Sequence, residues 1–159
     1  MKILPELAHY LHANSIRLAT AESCTAGLIA SMLGAIEGCG DWLECGFVTY
    51  SPDAKIHLLG VDPATIEQYG LSSEQVAREM AQGALKKSGA NVAIANTGVA
   101  GPDDAPDGTK AGTVCFAWAL QGEDGVIRTY SETKIFSGDR NAVRHAAAEF
   151  AIENLRRHC

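Results

Sequence analysis

No stretch of the 159-residue chain approaches the ~20 consecutive apolar residues that a membrane-crossing helix needs, and Met1-Lys2-Ile3-Leu4-Pro5-Glu6 carries no signal-peptide core. A soluble, cytoplasmic protein without membrane partners is expected. No block of Lys or Arg exceeds two neighbours and the net charge is −6. A basic face that grips nucleic-acid phosphates is therefore excluded. The five cysteines, Cys24, Cys39, Cys45, Cys115 and Cys159, are odd in number and show no C-x-x-C spacing, which argues against a disulfide framework and a zinc knuckle. His9, His12, His57, His145 and His158 form no i, i+4 pair with a carboxylate at ligand spacing, so neither a metal nor a cofactor is expected. Repeats, low-complexity tracts and linkers are also missing. What remains is 47% apolar and 20% charged, close to globular averages. One domain over residues 1–159 follows.

The hydrophobic pattern alternates between helical and strand periods. Residues 3–13 place Leu4, Leu7, Ala8 and Leu11 at helical spacing, and Ile16 to Ala21 reads as a short strand. Thr25 to Ile36 is small and apolar nearly all round, which suits a buried helix. Leu43 to Tyr50 is a strand that stops at Ser51-Pro52, a good N-cap followed by a good first helical residue. That helix should end near Leu59, and Pro63 to Tyr69 forms another. Ser72-x-x-Gln75 resembles a capping box opening a helix from Ser73 to Lys87. Asn91 to Asn96 is a buried strand. Gly112 to Leu120 is apolar on both faces and should be central, whereas Val126 to Phe136 alternates with charge and belongs near an edge. A final helix after Asp139 buries Val143, Ala147, Phe150, Ala151 and Leu155. The fold expected is an α/β layered sandwich, a mixed central β-sheet flanked by helices.

Three strand ends carry clustered polar residues: Glu22-Ser23-Cys24-Thr25, Tyr50-Ser51 with Lys55, and Thr97-Gly98 with the long loop behind it. Ligands bind beyond the carboxyl ends of strands in open α/β sheets, so these turns could form one site. Two readings stand for Ser23, Thr25 and Ser51, as helix caps or as reacting and binding groups. Lys55 falls in the first turns of a helix, where the macrodipole disfavours an ammonium. If also desolvated it could take a proton from a serine hydroxyl, and otherwise it is a solvated surface lysine. Cys24 is a rival nucleophile without a histidine nearby in sequence.

Thr20-Ala21-Glu22-Ser23-Cys24-Thr25-Ala26-Gly27-Leu28-Ile29-Ala30, then Gly46-Phe47-Val48-Thr49-Tyr50-Ser51 with Ala54-Lys55 and Leu59-Gly60-Val61, resembles the CinA carboxy-terminal domain family. Thr97-Gly98-Val99-Ala100-Gly101-Pro102, Gly112-Thr113-Val114 and Gly138-Asp139-Arg140 continue the pattern in order over essentially the whole chain. The resemblance implies nicotinamide mononucleotide deamidation, yielding nicotinate mononucleotide and ammonia for pyridine nucleotide salvage, with no metal. It implies Ser23 as nucleophile, Lys55 as its base, and Tyr50 and Thr97 as assisting groups.

Substrate contacts are expected at Cys24, Thr25, Gly27, Ser51, Gly98, Gly101 and Arg140. The amides of Cys24 and Thr25 would face the tetrahedral oxygen. The phosphate would meet the helix N-terminus after Ser23, the backbone of residues 97–101, or Arg140, which could instead pair with Asp139 or Glu149. A homo-oligomer is expected from small-residue helix faces and the exposed final strand. The alternative is a non-catalytic nucleotide-binding module, or an accessory protein of the competence or DNA-damage response. Family members usually carry glycines and a Lys-Pro-Val-Gly stretch after Gly-Pro, where this chain has Asp103-Asp104-Ala105-Pro106-Asp107. These carboxylates would oppose an anionic substrate if the loop lines the mouth, and would leave it untouched if the loop points away.

Overall fold

The computed structural model describes residues 4–159. Its elements in chain order are α1 (Leu4–Ala13), β1 (Leu18–Glu22), α2 (Leu28–Gly34), β2 (Leu43–Val48), α3 (Pro52–Leu59), α4 (Pro63–Tyr69), α5 (Glu74–Lys87), β3 (Val92–Gly98), β4 (Thr113–Gln121), β5 (Ile127–Ile135) and α6 (Arg140–Glu153). The strands form one sheet in the order β2-β1-β3-β4-β5. β1 runs parallel to both β2 and β3, while β4 and β5 are antiparallel to their neighbours. This is the mixed sheet expected, with β4 inside and β5 at the edge. The expected helix start at Ile3 lies outside the described residues. Among the described residues no helix is long and apolar enough to cross a membrane.

Strand alternation sorts side chains by size. One face carries Leu18, Ile94, Val114, Phe116 and Trp118, packed with residues of α1, α2 and α6. The indole of Trp118 is fully buried and donates to the Ala151 carbonyl at 3.0 Å, which satisfies its one polar atom. The other face is made of Ala19, Ala21, Ala93, Ala95, Ala117 and Ala119 with Cys115. Small residues there let α5 approach through its own small stripe of Ala77, Ala81 and Ala84. The small-residue face of α5 is thus covered within the chain.

Most helix starts follow their capping chemistry. The Ser51 hydroxyl accepts from Ala54 N at 3.1 Å with Pro52 behind it, and Asp139 accepts from Ala142 N at 2.9 Å. The capping box is displaced by one residue: Ser73, not Ser72, is the cap, accepting from Val76 N at 3.2 Å. The second helix differs more. It starts at Leu28 rather than Thr25, because Ala26 (φ 48°) and Gly27 (φ 97°) sit in the left-handed region. Ile29 and Leu33 are its buried members, so it is not enclosed all round.

α5 also crosses α3 closely, and this crossing bears on the site because α3 carries Lys55. A Cβ on Gly83 would overlap the backbone carbonyl of Leu59. Gly83→Ala gains about 1 kcal/mol of helix propensity but forces two backbones apart, at a cost of ~1–3 kcal/mol. The crossing should win. The melting temperature is expected to fall by a few degrees in calorimetry, and an unchanged or raised value would contradict this packing.

Candidate active site

The parallel trio β2, β1 and β3 ends at one edge of the sheet, with Glu22 paired to Val48 on one side and to Asn96 on the other. That register delivers the three polar turns into a single cleft of about 580 Å³. Ser23, Cys24, Tyr50, Lys55, Thr97, Gly98, Gly101 and Arg140 all line it. Thr25, Gly27 and Ser51 are not in its lining. The three strand ends grouped from the sequence meet in this cleft, with Thr25 buried beneath it, half-buried Gly27 outside it and Ser51 exposed elsewhere.

Lys55 is 1% exposed and Ser23 is 7% exposed. The Lys55 amine stands 2.9 Å from the Ser23 hydroxyl, 2.8 Å from the Thr49 carbonyl and 3.1 Å from the Tyr50 carbonyl. As an ammonium it donates to all three. As a free amine its two N–H groups stay on the carbonyls, and its lone pair faces the serine O–H. Burial pushes the Lys55 pKa down from 10.5 to about 8, against a smaller opposing influence from Cys24. The expectation of a depressed value holds, but its main cause is desolvation rather than the helix dipole. The solvated-lysine alternative is excluded.

The nucleophile turn is built by buried polar groups, not by helix capping from Ser23 or Thr25. The Glu22 carboxylate is fully buried and accepts from the amides of Gly27 (3.2 Å), Ile29 (2.9 Å) and Ala30 (3.0 Å), and from the Thr25 hydroxyl (2.6 Å). It therefore occupies the N-terminus of α2. The expectation that a substrate phosphate binds this helix end is corrected, because the Glu22 side chain already takes the amides of Gly27, Ile29 and Ala30. Asn96 completes the turn: its side-chain amide donates to the Thr25 hydroxyl at 2.8 Å, and its oxygen accepts from Ser23 N at 3.4 Å. The Thr25 hydroxyl thus joins Glu22 to Asn96, deep under the cleft. The sequence pattern assigned no role to Glu22, within the polar cluster, or to Asn96, at the end of its strand. The signal available was an acid and an amide at adjacent strand ends where the pattern demands apolar residues.

Cys24 donates to Asn96 at 3.6 Å, and burial pushes its thiol up to about 12 even though the charges of Lys55 and Arg144 favour the thiolate. A neutral, hydrogen-bonded thiol is a poor nucleophile. Tyr50 is 54% exposed and its phenol oxygen accepts from Arg140 at 2.8 Å, while its backbone carbonyl meets Lys55. Arg140 also donates to the Gly101 carbonyl at 2.6 Å. No ion pair joins Arg140 to Asp139 or Glu149 among the described residues, and Asp139 instead caps α6. The Thr97 hydroxyl donates to the Leu71 carbonyl at 2.8 Å and holds the α4–α5 connection against the cleft.

The acidic loop lines the mouth. Asp103, Ala105, Pro106 and Asp107 face the cleft together with Glu67 of α4. A hydrogen bond from Thr109 N at 2.9 Å holds Asp107 below the usual carboxylate range, so it is ionised at neutral pH. Asp104 turns to Lys110 and to the Ala111 amide. Among the described residues no three His, Cys, Asp or Glu side chains gather as metal ligands.

Comparison with known proteins adds four findings. The family described as CinA C-terminal domain matches residues 2–159. A nicotinamide-nucleotide amidohydrolase PncC of Enterobacter agglomerans is 47% identical over 96% of this chain and 90% of its own length. The chain is also 43% identical to a competence-damage inducible protein of Symbiobacterium thermophilum, of which it spans 38%. Among solved structures, a competence-damaged protein (CinA) superfamily protein from Escherichia coli superposes with a TM-score of 0.93 at 41% identity, covering 99% of this chain and 88% of that one.

Proposed function

We propose that this chain, which belongs to the CinA C-terminal domain family, is an amidohydrolase that converts nicotinamide mononucleotide to nicotinate mononucleotide and ammonia. The observation that carries the reading is the buried Lys55 amine 2.9 Å from the Ser23 hydroxyl, inside a cleft at the ends of the parallel strands. A binding module has no need of a nucleophile paired with a desolvated base. The amidohydrolase name of the Enterobacter agglomerans relative, which matches at nearly full length, supports the same class. Cytoplasmic pyridine nucleotide salvage is the setting that this substrate implies.

Neutral Lys55 accepts the Ser23 proton as Oγ attacks the carboxamide carbon. The tetrahedral oxyanion is received by the Cys24 and Thr25 amides, neither of which makes a hydrogen bond to another described residue. Lys55, now an ammonium, returns the proton to the departing nitrogen, and ammonia leaves a nicotinoyl ester on Ser23. Water then adds with Lys55 as base, releasing the carboxylate and restoring the serine. Arg140 and the amides of Ala100 and Gly101 receive the phosphate, and Tyr50 fixes the Arg140 guanidinium. Assembly into a homo-oligomer remains part of the proposal, resting on the exposed edge strand β5 with Ile135 outermost. Ammonia and nicotinate mononucleotide formed together by the purified protein are the expected result. Nucleotide binding without turnover would overturn the reading in favour of a binding module.

The acidic mouth favours a second substrate of the same reaction. The nicotinamide ring of a nucleoside is a fixed cation, and Asp103 and Asp107 attract it while opposing a phosphate. Nicotinamide riboside, which keeps the cation and lacks the anion, should therefore also be deamidated. Asp103→Asn with Asp107→Asn is expected to lower KM for the mononucleotide about fivefold and raise it for the riboside, since exposed charges are each worth up to ~1 kcal/mol. Equal KM values in parent and double variant would remove the loop from substrate choice.

A further inference from the structure

We infer that Arg144 is a positioning residue that sets the oxyanion site of the nucleophile turn, an inference that rests on the proposed serine acyl-transfer reading. Arg144 lies one turn beyond Arg140 on α6, and its guanidinium reaches under the turn rather than into the cleft. Nε donates to the Cys24 carbonyl at 3.0 Å and Nη2 to the Thr25 carbonyl at 3.1 Å. Its third contact is Nη1 to the Asn141 side-chain oxygen at 3.1 Å. Among the described residues no carboxylate lies within ion-pairing distance of it. A full positive charge is therefore spent on two backbone carbonyls adjoining the nucleophile, where a neutral donor would satisfy hydrogen bonding equally well.

Peptide planarity turns that grip into aim. Each trans peptide unit directs its N–H opposite to its carbonyl. The Ser23 carbonyl is held by Ala26 N at 3.0 Å and the Cys24 carbonyl by Arg144. The amides paired with them, those of Cys24 and Thr25, are thereby fixed in direction, and neither donates to another described residue. A cation on the carbonyl end also polarises the unit, making its N–H a stronger donor when negative charge develops nearby. The charge does reach the turn, since Arg144 favours ionisation of the Cys24 thiol. Arg144 does not itself line the cleft and touches none of the reacting atoms, so it acts through the backbone of Cys24 and Thr25.

The test compares the parent, Arg144→Ala, Arg144→Lys and Ser23→Ala in ammonia release from nicotinamide mononucleotide, with melting temperatures alongside. Loss of an oxyanion donor outright costs ~10²–10³ in rate, so Arg144→Ala is expected to lose about 10²-fold in kcat, and Arg144→Lys about tenfold, because a lysine cannot span both carbonyls. KM should stay within about twofold, as expected for an interaction made in the transition state. Millimolar methylguanidinium should restore part of the kcat of Arg144→Ala and none of Ser23→Ala, a response that a merely structural role would not give. Parental kcat in both Arg144 variants, or a loss that tracks the unfolded fraction and is not rescued, would overturn the assignment while an inactive Ser23→Ala leaves the proposed function standing. An inert parent would overturn both.

Discussion

Ser23→Ala is expected to remove amide turnover, by ~10⁴-fold or more, while leaving nucleotide binding within a few-fold of the parent. The magnitude follows from covalent catalysis: without the hydroxyl, water must attack a resonance-stabilised amide directly, and the remaining oxyanion donors and binding groups supply only part of the acceleration. The hydroxyl is small, and its main described partner is Lys55. The fold should tolerate its loss, so circular dichroism and melting temperature should stay near parental values. Cys24→Ala at the adjacent position should retain most activity, because its thiol is neutral and turned to Asn96. The two variants side by side, in a coupled ammonia assay, decide which atom attacks. Activity kept in the first and lost in the second would transfer the role to sulfur.

Lys55→Met should separate activity from stability. General bases contribute ~10²–10⁴-fold, and loss of turnover in that range is expected. Stability should move the other way. The folded-state pKa of Lys55, about 8, lies below the ordinary 10.5. At any pH between these values the unfolded chain holds more of this proton than the folded one, so stability rises with pH across that window. Below about 8 the full cost of a buried ammonium applies, roughly 3–4 kcal/mol from the 1.4 kcal/mol equivalent of each pKa unit. A methionine of similar length avoids that cost and forfeits hydrogen bonds to Ser23 and two carbonyls. At neutral pH the variant should melt at or above the parent temperature, with the advantage shrinking towards pH 10. A lower melting temperature at neutral pH would show that the three hydrogen bonds outweigh desolvation.

The layout of the molecule was readable where a single local rule acts. Ser51-Pro52 opens α3 because a hydroxyl and an imino acid suit that position, and the doubly apolar run of β4 has no place except inside the sheet. The gathering of Ser23, Lys55 and Thr97 was likewise legible, since parallel strands must end at one edge. Legibility failed where a distant partner overrides the local pattern. Thr25 to Ile36 has helical composition throughout, yet the carboxylate of Glu22 collects the amides of Gly27, Ile29 and Ala30 and delays the helix. Asn96 and Arg144 looked like a strand residue and a helix residue, because the turn they hold is far away in sequence. The burial of Lys55 was hidden for a similar reason. Lysine is ordinarily a surface residue, and only the turn after β1 and the carbonyls of Thr49 and Tyr50 enclose the amine. The direction of the Asp-rich loop depends on the Asp104 contacts to Lys110 and Ala111, which no periodicity reveals.

The central claim is that a neutral Lys55 takes the proton of Ser23. The most direct measurement is kcat/KM for ammonia release from nicotinamide mononucleotide, by parent and Ser23→Ala, from about pH 6 to about pH 10. The account predicts a parental rate that climbs about tenfold per pH unit and levels off above about 8, where Lys55 is uncharged, with Ser23→Ala at background throughout. A profile flat through that range, or comparable turnover in Ser23→Ala, would contradict it.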